Sequence, residues 1–317
     1  MGDPAGIGPE VCIRAITDRR VRREIQPILV GDAGVFRETA RRLRAPLRFG
    51  NGRGQTRVVE VSELRAAERR PGRPTDAGAS AAYRAIVDGT RLTMDGTAAA
   101  IVTALVSKAA IRALGMDFLG HTETIARLAG NADVRMMMAG PELRVVLVTT
   151  HVRYRDVPDK LTTALVLRTA EIAAEALHRH FGVAKPRLGL AGLNPHAGEA
   201  GAFGDEEKKI LEPAVKRGKD RGLRIEGPIP ADTIFFRARA GEFDAVISLY
   251  HDQGLAPFKL LHFHDGVNVT VGLPFPRTSP DHGTAFDIAP RRTADPSSMI
   301  AAIRLAAEMS GRDGRKR

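Results

Sequence analysis

The sequence predicts an α/β fold with a largely parallel sheet. Short apolar, β-branched runs alternate along the chain with longer segments whose apolar residues recur at helical spacing. Three of those runs, at residues 143–150, 187–193 and 244–249, lead into segments that carry a histidine. The composition is that of a folded globular chain, because 43% of the 317 residues are hydrophobic and 27% are charged.

The individual elements follow from spacing and capping residues. Strands are predicted at residues 28–31, 58–61, 98–105, 134–138, 143–149, 187–193, 244–249 and 267–272. Helices are predicted at 33–43, 76–94, 124–129, 162–181, 205–222 and 296–311, besides a first one that begins near Glu10. Thr75 or Asp76 supplies the N-cap of the 76–94 helix. The stretch 62–75 is predicted to be a surface connection, and the tail 311–317 to be disordered.

A chain of 317 residues is long enough for two domains or for one large domain. The lone Cys12 excludes an internal disulfide and fits a reducing compartment. No apolar run approaches a membrane span, and the chain starts with neither the basic nor the apolar stretch of a signal peptide. We therefore expect a cytoplasmic protein.

The charge favours small anionic ligands over nucleic acid. The net charge is +11 and the pI about 10.3, a balance that nucleic-acid-binding chains share. However, aromatic residues make up only 5% of the chain and tryptophan is absent, so stacking platforms for bases are scarce. The arginines are also spread along predicted helix surfaces. We expect an acidic substrate or cofactor, and no nucleic-acid or membrane partner.

Three histidines lie just past predicted strands: His151, His196 and His251. The carboxyl ends of parallel strands meet at one edge of the sheet, where such sheets bind ligands. One histidine of this kind is more often an ordinary hydrogen-bonded loop residue. Three at equivalent positions favour a set of metal ligands.

The common phosphate- and nucleotide-binding motifs are absent, but other segments of the chain could bind a phosphate or a nucleotide. The glycine-rich dinucleotide motif, the phosphate loop, the zinc-protease motif and the serine-hydrolase elbow are all absent. Residues 2–10 form either an anion-binding turn or a structural turn before a helix. Residues 281–285 form either a plain loop or a turn that approaches a flat ligand such as adenine. Anion-binding donors are numerous in residues 250–289, namely Lys259, Asn268, Arg277, Thr278 and Ser279.

Several long motifs together resemble the 4-hydroxythreonine-4-phosphate dehydrogenase family of pyridoxal phosphate biosynthesis. They occur in the family's order over residues 2–289, nearly the whole chain. They are MGDPAGIGPE, GHTE (120–123), TTH (149–151) with RDVP (155–158), NPHAGE (194–199) with FGDEE (203–207), YHDQG (250–254) with Lys259, and GVNVTVGLPFPRTSPDHGTAFDIA (266–289). The resemblance implies the two-domain isocitrate and isopropylmalate dehydrogenase-like fold with a cleft between the domains. One domain would comprise residues 1–124 together with 280–317, and the other, at 125–279, would carry the metal, substrate and dimer contacts.

The resemblance also implies roles for individual residues. His151, His196 and His251 would bind a divalent metal, with His251 contributed by the second subunit of a homodimer. The implied substrate-binding residues are His121, Thr122, Lys259, Asn268 and Arg277, and the implied cofactor-binding residues are Asp281, His282, Gly283, Thr284 and Ala285. Asp252 and Lys108 are candidates for proton transfer.

The implied activity is a metal-dependent, NAD- or NADP-linked oxidation and decarboxylation of a phosphorylated hydroxy acid such as 4-phosphohydroxy-L-threonine, with zinc, magnesium or cobalt as the metal. Relatives that oxidise D-threonate or D-erythronate phosphates, or aromatic cis-dihydrodiols, are alternatives. A non-catalytic module that binds a phosphosugar or nucleotide is an alternative of another class.

The chain departs from the family pattern at three places. Members normally carry a β-strand before the GDPAG motif, where this sequence begins at Met1, so either its start lies upstream or that strand is missing. Ser107 precedes Lys108 where many members have asparagine, and Ala200 stands where glycine is usual. The last two departures bear on the substrate more than on the reaction.

Overall fold

The computed structural model describes residues 1–313 of the chain. Its strands are β1 (Ile28–Asp32), β2 (Arg57–Ser62), β3 (Ile101–Val102), β4 (Arg135–Ala139), β5 (Arg144–Leu147), β6 (Arg187–Ala191), β7 (Arg224–Ile229), β8 (Ala245–Ser248), β9 (Val267–Val271) and β10 (Arg277–Pro280). Its helices are α1 (Gly8–Thr17), α2 (Arg19–Glu24), α3 (Ala33–Arg42), α4 (Asp76–Met94), α5 (Lys108–Ala113), α6 (His121–Leu128), α7 (Val157–Lys160), α8 (Thr163–Phe181), α9 (Glu212–Asp220), α10 (Ala231–Arg239), α11 (His251–His262) and α12 (Ser297–Asp313).

The first compact unit comprises Met1–Ala132 and Leu273–Ser310. In it β1 pairs in parallel with β2, and β3 pairs in parallel with β10. One core cluster of this unit joins side chains of α1, α3 and α12, among them the fully buried Ile13 and Phe36. Removing side chains of this size from water contributes about 1.5–3 kcal/mol each.

The second compact unit is built on Asp133–Gly272. Its strands lie in the order β9-β4-β5-β8-β6-β7, and β4 alone among these six runs antiparallel to its neighbours. Val145 and Leu147 of β5 pack into a cluster with α10 and α11. Val146 points to the opposite face and is also fully buried, so the sheet is covered on both faces.

The structure confirms the predicted α/β fold with a mostly parallel sheet, and most predicted elements lie within two residues of the observed ones. The 76–94 helix has the predicted bounds, and Thr75 caps it through the N–H of Gly78. No helix within residues 1–313 is long and apolar enough to cross a bilayer.

Some predictions were wrong. The strand predicted at 98–105 is only Ile101–Val102, because its observed ladder to β10 contains just two residue pairs. The helix predicted from residue 205 begins with a π-helical turn at Glu207–Leu211, and helix α11, which starts in the polar stretch after Tyr250, was not among the predicted helices. The last helix continues to Asp313, so the tail is not disordered from residue 311, and residues 314–317 lie outside the described residues.

Candidate active site

The three candidate histidines follow three neighbouring parallel strands. β8 pairs in parallel with β5 on one side and with β6 on the other. His151 comes soon after β5, His196 after β6 and His251 after β8. The carboxyl ends of these strands therefore form one edge of the sheet, as the sequence analysis predicted.

His151 and His251 line one cavity of about 270 Å³ in the second unit. Their ring centres are 5.9 Å apart. The rings of Tyr154 and Tyr250 line the same cavity and meet edge to face, with 5.4 Å between their centres. Burial, followed by the proximity of Tyr154 and Asp252, raises the pKa of the Tyr250 hydroxyl. Tyr250 is therefore protonated at neutral pH and can donate a hydrogen bond to a ligand in this cavity.

His196 lies in a tight turn, Pro195–Gly201, with an unusual backbone. Four of its non-glycine residues, His196 among them, have φ between 39° and 56°. Left-handed conformations of this kind cost about 1–3 kcal/mol per residue and cluster at functional sites. The His196 ring lies beside Phe203, with 6.1 Å between ring centres.

The Glu207 carboxylate forms hydrogen bonds with the segment that leads into this turn. One carboxylate oxygen accepts the backbone N–H groups of Leu193 and Asn194, each at 2.8 Å, and the other accepts the side-chain amide of Asn194 at 2.9 Å. Glu207 is 2% exposed, so these charge-assisted bonds are shielded from water. Glu207 was not among the predicted site residues, although its motif FGDEE (203–207) lies close behind NPHAGE (194–199).

Hydrogen bonds from the side chains of Gln253 and Thr149 link the carboxyl ends of β5, β8 and β6. The Gln253 side chain accepts the N–H of Leu249 and donates to the carbonyl of Gly192, both at 2.7 Å, which joins the ends of β8 and β6. The Thr149 hydroxyl donates to the Leu249 carbonyl at 2.7 Å, which joins β5 to β8. These buried bonds fix the backbone from which the three histidines project.

The two neighbouring imidazoles fit a metal ion. With metal–nitrogen bonds of about 2.0–2.1 Å, two histidines on one ion have ring centres roughly 5–6 Å apart. The Asp252 carboxylate lies 2.7 Å from Nδ1 of His251, so Nε2 is the nitrogen of His251 that could bind a metal. Within one chain, no group of three or more His, Cys, Asp or Glu side chains among residues 1–313 is placed to hold a metal.

The first unit contains a cationic cluster around His121. Burial, then the nearby Arg277, the amino group of Met1 and Lys108, hold the pKa of His121 well below its ordinary value of 6.5. Its ring is therefore neutral at pH 7. Its Nε2 is buried and has no hydrogen-bond partner among the described residues. An enclosed nitrogen of this kind is a position where a ligand would complete the hydrogen bonding.

Arg277 supplies a buried positive charge to this cluster. It is 3% exposed, and its guanidinium donates to the hydroxyl of Thr103 at 2.7 Å. Burial lowers the pKa of Arg277 to about 10, while Glu123 acts in the opposite direction, so the group stays protonated at neutral pH. Thr122 follows His121 in the first turn of α6. The helix N-terminus adds a favourable field for an anion.

Two other predicted substrate residues lie in the second unit. Lys259 belongs to α11, and Asn268 belongs to β9 opposite Met138 of β4. The side-chain oxygen of Asn268 is buried without a hydrogen-bond partner among residues 1–313. By contrast, the Thr278 hydroxyl donates to the carbonyl of Ala302 at 2.8 Å in the first unit, which gives Thr278 a structural role.

The loop predicted to bind the cofactor follows β10 and packs against the glycine-rich turn at the start of the chain. The Thr284 carbonyl accepts the N–H of Ile7 at 2.9 Å. A Cβ atom on Gly6 would lie 2.7 Å from that oxygen, so only glycine permits this approach. Ala285 has a φ of 45°, and Nε2 of His282 is buried without a partner among the described residues.

The glycine-rich turn itself is structural. Its N–H groups at Asp3, Ala5 and Gly6 bond to the Leu105 carbonyl, the Asp3 carboxylate and the Asp3 carbonyl. Protein acceptors therefore occupy the donors that an anion would need. Of the two alternatives that the sequence left open for residues 2–10, the structure favours the turn.

Comparisons with known proteins agree with this architecture. The family model of the pyridoxal phosphate biosynthetic protein PdxA matches residues 23–306. The 4-hydroxythreonine-4-phosphate dehydrogenase of Desulforapulum autotrophicum is 47% identical over 97% of this chain and 93% of its own length. The D-threonate 4-phosphate dehydrogenase of Cupriavidus necator is 44% identical over 98% of this chain and 96% of its own.

A solved structure shows the same fold. The crystal structure of 4-hydroxythreonine-4-phosphate dehydrogenase from Klebsiella pneumoniae aligns with a TM-score of 0.87 at 38% identity, covering 98% of this chain and 96% of that one. The family model thus covers residues 23–306, and the alignments cover 97–98% of the chain. The chain belongs to the family of the pyridoxal phosphate biosynthetic protein PdxA and, like its curated relatives, is an oxidoreductase.

Proposed function

We propose that this chain catalyses the metal-dependent, NAD- or NADP-linked oxidation and decarboxylation of a phosphorylated hydroxy acid such as 4-phosphohydroxy-L-threonine. The observation that carries the proposal is the placement of His151, His196 and His251 after three adjacent parallel strands. His151 and His196 would bind the metal together with His251, which the family resemblance assigns to a second subunit. The 5.9 Å between the rings of His151 and His251 in one chain is also compatible with a site built by a single subunit. When bound, the metal supplies a Lewis acid for alcohol oxidation and carbon dioxide loss, and the nicotinamide accepts the hydride.

The chain's own residues would bind and orient the substrate. The neutral ring of His121 offers Nε2 to a substrate oxygen, and Thr122 lies beside it. Arg277, Lys259 and Asn268 would hold a terminal phosphate through charge-assisted and neutral hydrogen bonds. The segment from Asp281 to Ala285 would contact the adenosine of the cofactor.

Two groups are candidates for proton transfer. Lys108 lies near His121 in the first unit, and Asp252 contacts Nδ1 of His251 at 2.7 Å. That contact also lets Asp252 orient the imidazole, a common arrangement around metal-bound histidines. Loss of proton transfer would lower kcat with little change in metal affinity, whereas loss of orientation would weaken metal binding. Asp252→Asn, measured by kcat and by metal titration, separates the two roles.

The test is activity after chelation and after return of Zn²⁺, Mg²⁺ or Co²⁺, alongside His196→Ala. Chelator should abolish most turnover, the returned metal should restore it, and His196→Ala should lose it under all conditions. His264→Ala, an exposed histidine of the second unit, is the matched control and should keep full activity. Full turnover in chelator, or in His196→Ala, would contradict the metal assignment.

Assays with a panel of acids would identify the substrate. A named relative acts on D-threonate 4-phosphate, so D-threonate and D-erythronate phosphates are the second candidates. The panel should contain these acids, 4-phosphohydroxy-L-threonine, their dephosphorylated forms and an aromatic cis-dihydrodiol, each assayed for nicotinamide reduction with NAD and NADP. The highest kcat/KM identifies the substrate class. Binding without turnover of any of them would favour the non-catalytic module.

A further inference from the structure

The carboxylate of Glu207 is packed against the left-handed turn Pro195–Gly201. At the entrance of the turn it accepts the three hydrogen bonds described above, which come from the two residues that lead into the turn. At the middle of the turn, a Cβ atom on Gly198 would lie 2.7 Å from the second carboxylate oxygen. The carboxylate therefore contacts the chain on both sides of His196.

Two further hydrogen bonds join the turn to residues 203–208. The N–H of Phe203 donates to the carbonyl of Gly198 at 3.3 Å, and the side chain of Lys208 donates to the carbonyl of Ala200. A run of non-glycine residues in the left-handed region persists only where the surrounding structure holds it in place. The segment 203–208 supplies contacts of that kind to the entrance, the middle and the end of the turn.

The hydrogen bonds at Asn194 require an acceptor at position 207. The Asn194 amide nitrogen donates to Glu207 at 2.9 Å and to Glu206 at 2.8 Å. The other oxygen of Glu207 accepts two backbone N–H groups, so each of these three partners is a donor. A carboxylate offers acceptors only, which suits all three. A glutamine at this position would oppose a donor with its own amide group in either orientation.

We propose that Glu207 is a positioning residue for His196: the carboxylate fixes the left-handed turn, and the turn fixes the direction of the imidazole. This inference rests on the proposed function, in which His196 is a metal ligand. A carboxylate behind a metal-bound histidine commonly contacts the ring itself, as Asp252 contacts His251. Glu207 acts through the backbone instead. A ligand that is held in place before the metal arrives loses less conformational freedom on binding, which raises the affinity.

The test reverses the hydrogen-bond polarity at position 207 and restores the match from position 194. All variants carry Glu206→Gln, because a glutamine there can turn its amide to face either a donor or an acceptor. In that background, Glu207→Gln should weaken Zn²⁺ binding by about 10- to 100-fold, the usual effect of losing a group that supports a metal ligand. Adding Asn194→Asp should restore most of the affinity, because its carboxylate accepts a hydrogen bond from the new amide.

Two measurements and one control separate positioning from general stability. Calorimetric titration below the Tm of each variant gives the Zn²⁺ affinity, and hydrogen exchange reports on the backbone N–H groups of Leu193 and Asn194. Exchange at these groups should become faster with Glu207→Gln and slow again when Asn194→Asp is added. Val215→Ala, on the buried face of α9, should lower Tm without changing the Zn²⁺ affinity.

The outcomes distinguish this inference from the proposed function. Unchanged Zn²⁺ affinity in Glu207→Gln, or no recovery on adding Asn194→Asp, would overturn the positioning role, and so would an equal loss in Val215→Ala. If Glu207→Gln does not fold, recovery of both folding and affinity by Asn194→Asp supports the role, and failure to recover overturns it. Unchanged affinity in His196→Ala would contradict the proposed function and this inference together. A loss in His196→Ala with none in Glu207→Gln would contradict this inference alone.

Discussion

At the scale of single residues, Arg277 combines full burial with a retained positive charge. A buried guanidinium needs hydrogen-bonding partners for its five N–H donors, and Thr103 accepts one of them. A phosphate dianion suits this geometry, because Arg binds it bidentately and Lys adds a point charge. Lys259 is the cation that the proposed function pairs with Arg277.

Replacing either cation should therefore weaken the reaction with phosphorylated substrates specifically. For Arg277→Ala and Lys259→Ala we expect kcat/KM to fall by about 10- to 100-fold, since each charge-assisted bond contributes roughly 1.5–3 kcal/mol. The dephosphorylated acid should show a much smaller loss. Lys219→Ala, an exposed lysine of α9, is the control. Equal losses on both acids, or preference of the parent chain for an unphosphorylated dihydrodiol, would show that these residues do not recognise phosphate.

The buried ring of His121 should make folding stability sensitive to acid. Its pKa in the folded chain lies well below 6.5, the ordinary value that applies in the unfolded chain. Below pH 6.5 the unfolded chain therefore binds the extra proton first, and stability falls as the pH falls. Above that pH both states are neutral and the effect vanishes.

Urea unfolding at pH 7.5 and pH 5.5 measures this effect. The parent chain should lose up to about 1 kcal/mol more than His121→Gln over that interval, because one proton taken up only on unfolding changes stability by about 1.4 kcal/mol per pH unit. The same pH dependence in both proteins would show that His121 is not kept neutral by the fold.

The strand-end positions of the three histidines could be predicted from the sequence, whereas the side chains that fix the backbone around them could not. The strand ends before His151, His196 and His251 follow from local apolar runs, which a single sequence displays. Glu207 accepts backbone N–H groups 13 and 14 positions away, and Gln253 donates to the Gly192 carbonyl 61 positions away in the chain. Such contacts exist only once the sheet order is fixed, so local periodicity does not indicate them.

At the scale of elements, α11 shows why one helix was not predicted from the sequence. It contains Gly254 and Pro257, both poor helix formers, and begins with polar residues. Packing overrides these preferences. A Cβ atom on Gly254 would lie 2.5 Å from Val145 of β5, so this glycine permits a close approach of helix and sheet. The residue type that weakens the local helix signal is the one that the packing requires.

The link between the ends of β8 and β6 should support metal binding. Gln253→Leu removes two bonds of 2.7 Å and leaves the N–H of Leu249 and the carbonyl of Gly192 without their partner. We expect a loss of about 2–4 kcal/mol in unfolding free energy. We also expect about 10- to 100-fold weaker metal binding, measured by metal titration. Gln55→Leu, at an exposed glutamine, should change neither, and unaltered metal affinity in a destabilised Gln253→Leu would limit Gln253 to folding.

At the scale of the whole molecule, the subunit that supplies His251 decides how the site is built. In one chain the rings of His151 and His251 lie 5.9 Å apart, an arrangement that a single subunit could use by itself. The family resemblance implies the opposite, with His251 contributed by a second subunit. These two arrangements make different predictions for mixtures of inactive variants.

Mixing inactive His151→Ala protein with inactive His251→Ala protein should restore activity if the site is shared. Each mixed dimer then contains one site with both histidines intact, and random exchange of equal amounts gives about a quarter of the parent activity. Two different affinity tags, captured in sequence, establish that subunits have exchanged, and His151→Ala mixed with itself is the control. If each chain builds its own site, no subunit in the mixture has both histidines and activity stays at zero. Zero activity in dimers that carry both tags would therefore assign His251 to the same chain as His151.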